Sequence, residues 1–303
     1  MGVKSMQAPT ISRRSPFAAG GVIRLALALL VSLILSTTAN ALSIERDTRS
    51  YRPDLGNASP KPDVYRLPTT RDAPVLVFVH GGAWVTGDRS EVGGKPLHFT
   101  RNGMVFVSID YRLVPHVRVE DQLQDIDAAL GWIADNIAEF GGDPDNIYVM
   151  GHSAGAHLVA LNAVKPGPRT RDLLASGRLR GVISNDIRAY DIPRLAAHSH
   201  NKRLPGNFAR ALGNDPARWR ALSPQYQIGN FARLPKFLLM FSGEGSARKR
   251  ADATQRFAAA LRAAGAGVNV FDGRRYGHHE INDKIGLARD ITQAIDNFLG
   301  IGR

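Results

Sequence analysis

Residues 75–79, Val-Leu-Val-Phe-Val, form an unbroken apolar run. A strand half-exposed to water alternates apolar and polar residues; a continuous run belongs to a strand covered on both faces inside a parallel sheet. Comparable runs recur at 105–109, 147–150, 181–184, 237–241 and 268–271, and between them lie helical stretches at 119–139, 153–164, 251–264 and 283–298. Alternation of this kind predicts an α/β fold, a mostly parallel central sheet with helices on both faces joined by right-handed crossovers. Ligands of such sheets sit at the carboxyl ends of the strands. Two segments break the rhythm. Residues 42–72 are polar and carry four prolines, and are expected as an extended lead-in that covers the sheet or adds an antiparallel edge strand. Within the main domain of 73–303, residues 191–234 are rich in Arg, Asn, Pro and His without a clear strand, as a cap-like insertion over the ligand end would be.

The strand expected at 147–150 runs straight into Gly151-His152-Ser153-Ala154-Gly155 and then into an Ala/Leu-rich helix. A serine on a sharp strand-to-helix turn is pushed out of the backbone, where a substrate carbonyl can reach it. The following helix aims its N-terminal N–H groups and positive dipole end at the same place. The first strand runs into His80-Gly81-Gly82-Ala83-Trp84. Two glycines there allow backbone amides to turn toward a developing negative charge, which is how an oxyanion hole is built. The expected donors are the backbone N–H groups of Gly81, Gly82 and Ala154.

With Ser108-Ile109-Asp110-Tyr111-Arg112-Leu113, Gly141-Gly142-Asp143-Pro144-Asp145-Asn146-Ile147 and Ser223-Pro224 in the same order, the chain resembles the α/β-hydrolase superfamily over residues 64–299. Within it, the likeness is to esterases of the hormone-sensitive-lipase and bacterial carboxylesterase type, with arylformamidases as near relatives. The resemblance implies a serine hydrolase acting on small carboxylic esters through an acyl-enzyme on Ser153. Amide or formamide substrates differ only in the leaving group. Chain order in this superfamily is serine, acid, histidine. The base falls in Tyr276-Gly277-His278-His279-Glu280-Ile281, where the family pattern selects His278 and leaves His279 as the alternative. The acid is the weak point, because Ser246 stands where related sequences carry aspartate. Glu244, two residues earlier on the same loop, is the favoured substitute and Asp252 the second; a dyad without an acid, with serine or water holding the imidazole, is the third. A hydrolase-fold protein that has lost most activity and serves in binding is the rival reading that Ser246 motivates. His152 is expected to pack or bond locally, Trp84 to floor the pocket or join the core, and Asp110 and Asp125 to tether loops. His198, His200, Phe208, Trp219 and Tyr226 either line a substrate cleft or pack the insertion onto the core.

Composition narrows the picture further. Zero cysteines exclude disulfides, thiolate catalysis and cysteine-based metal sites. No metal-ligand spacing is present, so neither metal nor cofactor is expected. Residues 1–24 carry Lys4, Arg13, Arg14 and Arg24 and no acid, followed by an apolar run at 25–35 and Ala39-Asn40-Ala41. That is the pattern of an export signal cut after Ala41, with an uncleaved membrane anchor as the alternative. The expected location is periplasmic or secreted. The formal charge of +12 comes from scattered residues rather than a basic helix face, so a soluble surface is expected and a nucleic-acid partner is not.

Overall fold

The computed structural model describes residues 1–2, 43–199, 203–204, 206–229, 233–245 and 247–302. Residues 3–41 of the expected leader, His200 and Ser246 lie outside the described residues. Residues Ile44–Arg303 form one compact unit around an eight-stranded sheet of order β1-β2-β4-β3-β5-β6-β7-β8. The lead-in supplies β1 (Glu45–Thr48) and β2 (Pro62–Arg66), which pair antiparallel with each other, and β2 pairs antiparallel with β4. Every other pairing, among β3 (Ala73–Val79), β4 (Val105–Ile109), β5 (Gly142–His152), β6 (Leu179–Asn185), β7 (Lys236–Ser242) and β8 (Val268–Gly273), is parallel.

Strand β3 explains why its run is continuous. Val75, Val77 and Val79 enter the core on one face of the sheet, while Leu76 and Phe78 enter the core on the other. The first core holds α2 (Val119–Asn136), α3 (Ala154–Val164) and α8 (Ala247–Ala263); the second holds α1 (Lys95–Arg101) and α10 (Arg289–Leu299). Every residue of α3 is buried, which is why its sequence shows no polar stripe. From β3 the chain crosses to β4 on one side and then to β5 on the other. The crevice outside the carboxyl ends of β3 and β5 is therefore the switch point where doubly wound sheets bind ligands.

The sequence pattern missed α1 and the short helix α4 (Pro168–Ala175), each too short to show a period. The insertion contributes α5 (Ile192–Ala197), α6 (Gly206–Leu212) and α7 (Pro216–Ala221). Helix α8 starts at Ala247, four residues before the expected start. The last helix, expected unbroken over 283–298, is split into α9 (Glu280–Asp283) and α10. Gly286 causes the break: it sits at φ +82°, and a Cβ there would lie 2.8 Å from the Cβ of His98 on α1. A left-handed residue pressed against a neighbouring helix cannot continue a right-handed one.

Lys95, at the start of α1, is 1 % exposed. Its ammonium donates to Val92 O at 3.3 Å and lies 4.8 Å over the Phe78 ring. Burial pushes its pKa down to about 8, only partly offset by Asp283. Between pH 8 and the ordinary lysine value, the unfolded chain holds a proton that the folded chain has released, so stability rises with pH across that window by roughly 3 kcal/mol. Lys95→Met is expected to be more stable than the parent at pH 7 and to lose this alkaline gain. Urea unfolding of both proteins at pH 7 and 9.5 checks it.

Candidate active site

Strand β5 delivers Ser153 onto the turn before α3 with φ 54° and ψ −117°, a conformation that a non-glycine residue holds only when its surroundings enforce it. The surroundings are specific. Ser153 N–H donates to Asn185 O at 3.0 Å. A Cβ on Gly155 would lie 2.2 Å from Val79 O, so only glycine lets the first turn of α3 pass this close to β3. Among the described residues, five non-glycine residues have positive φ: Asp72, Ala83, Trp84, Ser153 and Asp186. The last four all lie on loops at the carboxyl end of the sheet, and strain of this kind concentrates where a site is being shaped.

The histidine arm comes from the loop after β8. His278 Nε2 is 2.9 Å from Ser153 Oγ, and His278 Nδ1 is 2.5 Å from Asp186 Oδ2. Asp186 follows β6, the strand beside β5. It is fully buried, and its carboxylate also accepts from Ser242 N–H at 2.9 Å, Ser242 Oγ at 2.6 Å and Arg250 Nη1 at 2.9 Å. Burial alone would raise its pKa; the His278 hydrogen bond, the Arg250 guanidinium and Ser242 outweigh it and hold the pKa at about 2. The group is thus a fixed anion that orients the imidazole with its Nδ1–H toward Asp186 and its Nε2 toward the serine.

This corrects the expected acid. Glu244 is exposed and its Oε2 accepts from the backbone N–H of His278 at 2.5 Å, so it holds the loop rather than the ring. On the other side of the same residue, His152 Nε2 donates to His278 O at 2.8 Å. Burial, and then the neighbouring His278, lower the His152 pKa to about 3, so His152 is a neutral brace. Glu244 and His152 between them fix both backbone groups of His278. Asp252 is engaged elsewhere, 3.3 Å from Arg194 and 3.1 Å from Arg256 on its own helix. The alternative base His279 is exposed, its ring 5.2 Å from that of His278, while His278 holds both the serine and Asp186.

The glycine loop lies against the serine: a Cβ on Gly81 would be 3.3 Å from Ser153 Cβ. Gly82, at φ +101°, accepts from the N–H groups of Val85 and Thr86, and a Cβ there would overlap Thr86 O at 2.0 Å. Tyr111 anchors the loop by donating to His80 O at 3.2 Å and Gly81 O at 3.1 Å, with its ring stacked on His80 at 4.3 Å. Trp84 proves to be core: it is fully buried, packs edge-on against Phe208 of the insertion, and its indole N–H donates to His157 Nδ1 at 3.3 Å. His157 in turn donates from Nε2 to Leu222 O at 2.8 Å. Trp219 packs the insertion, bonding Gly213 O, and Tyr226 donates to Asp191. Asp110 and Asp125 tether loops, through Arg89 and Arg112 respectively. His198 lines a separate cleft with Arg188. Among the described residues, no group of three or more His, Cys, Asp or Glu is placed to hold a metal ion.

Comparison with known proteins follows the same lines. Residues 63–188 match the family described as BD-FAE, a segment that holds the glycine loop, the serine turn and Asp186. The chain is 31% identical over 258 residues to Esterase LipQ of Mycobacterium tuberculosis, covering 79% of this chain and 58% of that one. It is 31% identical over 217 residues to a probable isoprenylcysteine alpha-carbonyl methylesterase, ICMEL1, of Arabidopsis thaliana, covering 67% and 44%. The chain thus spans about half the length of the curated relatives it matches. Among solved structures, Thermogutta terrifontis esterase 2 phosphonylated by sarin superposes with a TM-score of 0.64 at 23% identity, over 84% of this chain and 91% of that one.

Proposed function

Since the chain belongs to the α/β-hydrolase superfamily, among esterases of the hormone-sensitive-lipase and carboxylesterase type, we propose that it hydrolyses small carboxylic esters through an acyl-enzyme on Ser153. One observation carries the reading: the unbroken relay from Ser153 Oγ to His278 Nε2 at 2.9 Å and from His278 Nδ1 to Asp186 at 2.5 Å. Ser153 Oγ attacks the acyl carbon as its proton passes to His278 Nε2. Asp186 keeps Nδ1–H in place and balances the imidazolium charge. The backbone N–H groups of Gly81, Gly82 and Ala154 receive the oxyanion, at the start of a helix whose dipole favours negative charge. Collapse expels the alcohol with the proton from Nε2. Water, activated by the same nitrogen, then releases the acid.

The rival reading of a weakened binding protein rests on Ser246 in the usual place of the acid. A buried carboxylate on the imidazole from another strand removes that motive. Hydrolysis of 4-nitrophenyl acetate, butyrate and octanoate by the full chain is the direct test. Turnover of at least one ester is expected, and absence of turnover on all three by demonstrably folded protein would count against esters. The matching anilides, run alongside, separate ester from amide specificity.

A further inference from the structure

A cleft of about 730 Å³ lies between the loop after β6, helix α5 and the N-terminal turns of α8, and none of the triad residues lines it. Its walls carry five Lys or Arg side chains against two Asp, a formal excess of three positive charges. The two acids are already committed. Asp252 is shared between Arg194 and Arg256, and Asp191 caps α5 through the N–H of Arg194 and accepts from the Tyr226 hydroxyl. Arg188 is different from the rest. It is partly buried, and among the described residues it makes no hydrogen bond and no ion pair. Burial, and after it the neighbouring Arg250, depress its pKa, and the Asp186 carboxylate offsets this only in part. A half-buried guanidinium with no ion pair among the described residues, whose neighbour Asp186 is already bonded to His278, Ser242 and Arg250, leaves room for a further negative charge.

Helix α8 adds an independent sign. Its first turn reads Ala247-Arg248-Lys249-Arg250 with no acidic residue, although the N-terminal end of a helix disfavours cations and attracts anions. Arg250 is accounted for by Asp186 at 2.9 Å. Arg248 and Lys249 both line the cleft. The cations, the helix end and a guanidinium without an ion pair among the described residues converge on one volume. We infer that this cleft binds a small anion of carboxylate or phosphate chemistry, received by Arg188 and Arg248. The anionic group belongs either to an acidic ester presented to the neighbouring serine or to a separate small molecule.

Calorimetric titration of the full chain with inorganic phosphate and with citrate at low ionic strength tests the site without needing turnover, so its outcome is independent of the esterase reading. Binding is expected, weakened about tenfold or more in Arg188→Gln and further in Arg188→Gln/Arg248→Gln, since charge-assisted bonds to guanidinium are the strong ones. Arg101→Gln, on α1 against the other face of the sheet, controls for overall charge and is expected to bind as the parent does. Folding of each variant is checked by circular dichroism. Absence of binding to both anions, or equal weakening by Arg101→Gln, overturns the proposal. Monomethyl succinate against methyl butyrate then locates the source. A KM raised by Arg188→Gln for the acidic ester alone assigns the anion to the substrate. Unchanged kinetics on both esters, with phosphate or citrate bound, assigns it to a separate ligand.

Discussion

Asp186→Asn is expected to lower kcat for ester hydrolysis by about 10⁴, close to 5.5 kcal/mol of transition-state stabilisation. The amide is nearly isosteric, so the loss would come from chemistry rather than shape. Asparagine offers an oxygen acceptor but no charge, so it neither balances the imidazolium nor enforces the tautomer with Nδ1–H. It also leaves Arg250, 2.9 Å away and only 14% exposed at its side chain, without its counter-ion. Glu244→Gln should behave differently. Glutamine at 244 still presents an oxygen to the His278 N–H, so the loop keeps its shape and kcat is expected to stay within about tenfold of the parent. Steady-state kinetics on one 4-nitrophenyl ester, with both variants checked for folding, distinguishes the two carboxylates.

Ser153→Ala is expected to cost more, about 10⁶ in kcat. Losing the nucleophile leaves only the oxyanion donors and the binding of the acyl group to act on water. The effect is not additive with that of Asp186→Asn, because serine, histidine and aspartate act as one unit. The double variant Ser153→Ala/Asp186→Asn should therefore be no slower than Ser153→Ala alone. A further multiplicative loss would mean that Asp186 acts outside the relay. The alanine variant should fold normally: its Cβ occupies the same place, and the φ of 54° is imposed by the surrounding turn.

Much of the architecture is legible in the sequence, because two-sided strands write continuous apolar runs. The six parallel strands, the fully buried α3 and the two glycine-bearing turns all follow from that pattern and from the need for small residues where backbones approach. The acid escapes the sequence pattern because related sequences carry it in the loop after β7. The signal was nonetheless present. Ser184-Asn185-Asp186 ends β6, one of the expected strands, at the carboxyl edge where the serine turn and glycine loop also sit. The order Ser153, Asp186, His278 keeps that of the superfamily. What pattern alone does not show is that Ser242, on the adjacent strand, donates twice to Asp186 and so holds the acid one strand nearer the nucleophile. The break between α9 and α10 escaped for a similar reason. Gly286 looks like a tolerated helix glycine until its contact with His98 of α1 is known.

The most direct measurement is the rate at which a fluorophosphonate labels the protein, with the modified peptide identified by mass spectrometry. The parent is expected to be labelled on Ser153, Glu244→Gln at a rate within about tenfold, and Asp186→Asn slower by roughly 10³ or more, since the acid acts on nucleophile activation itself. Labelling of Asp186→Asn at the parent rate, or its loss in Glu244→Gln with the fold intact, would contradict a relay that runs from Ser153 through His278 to Asp186.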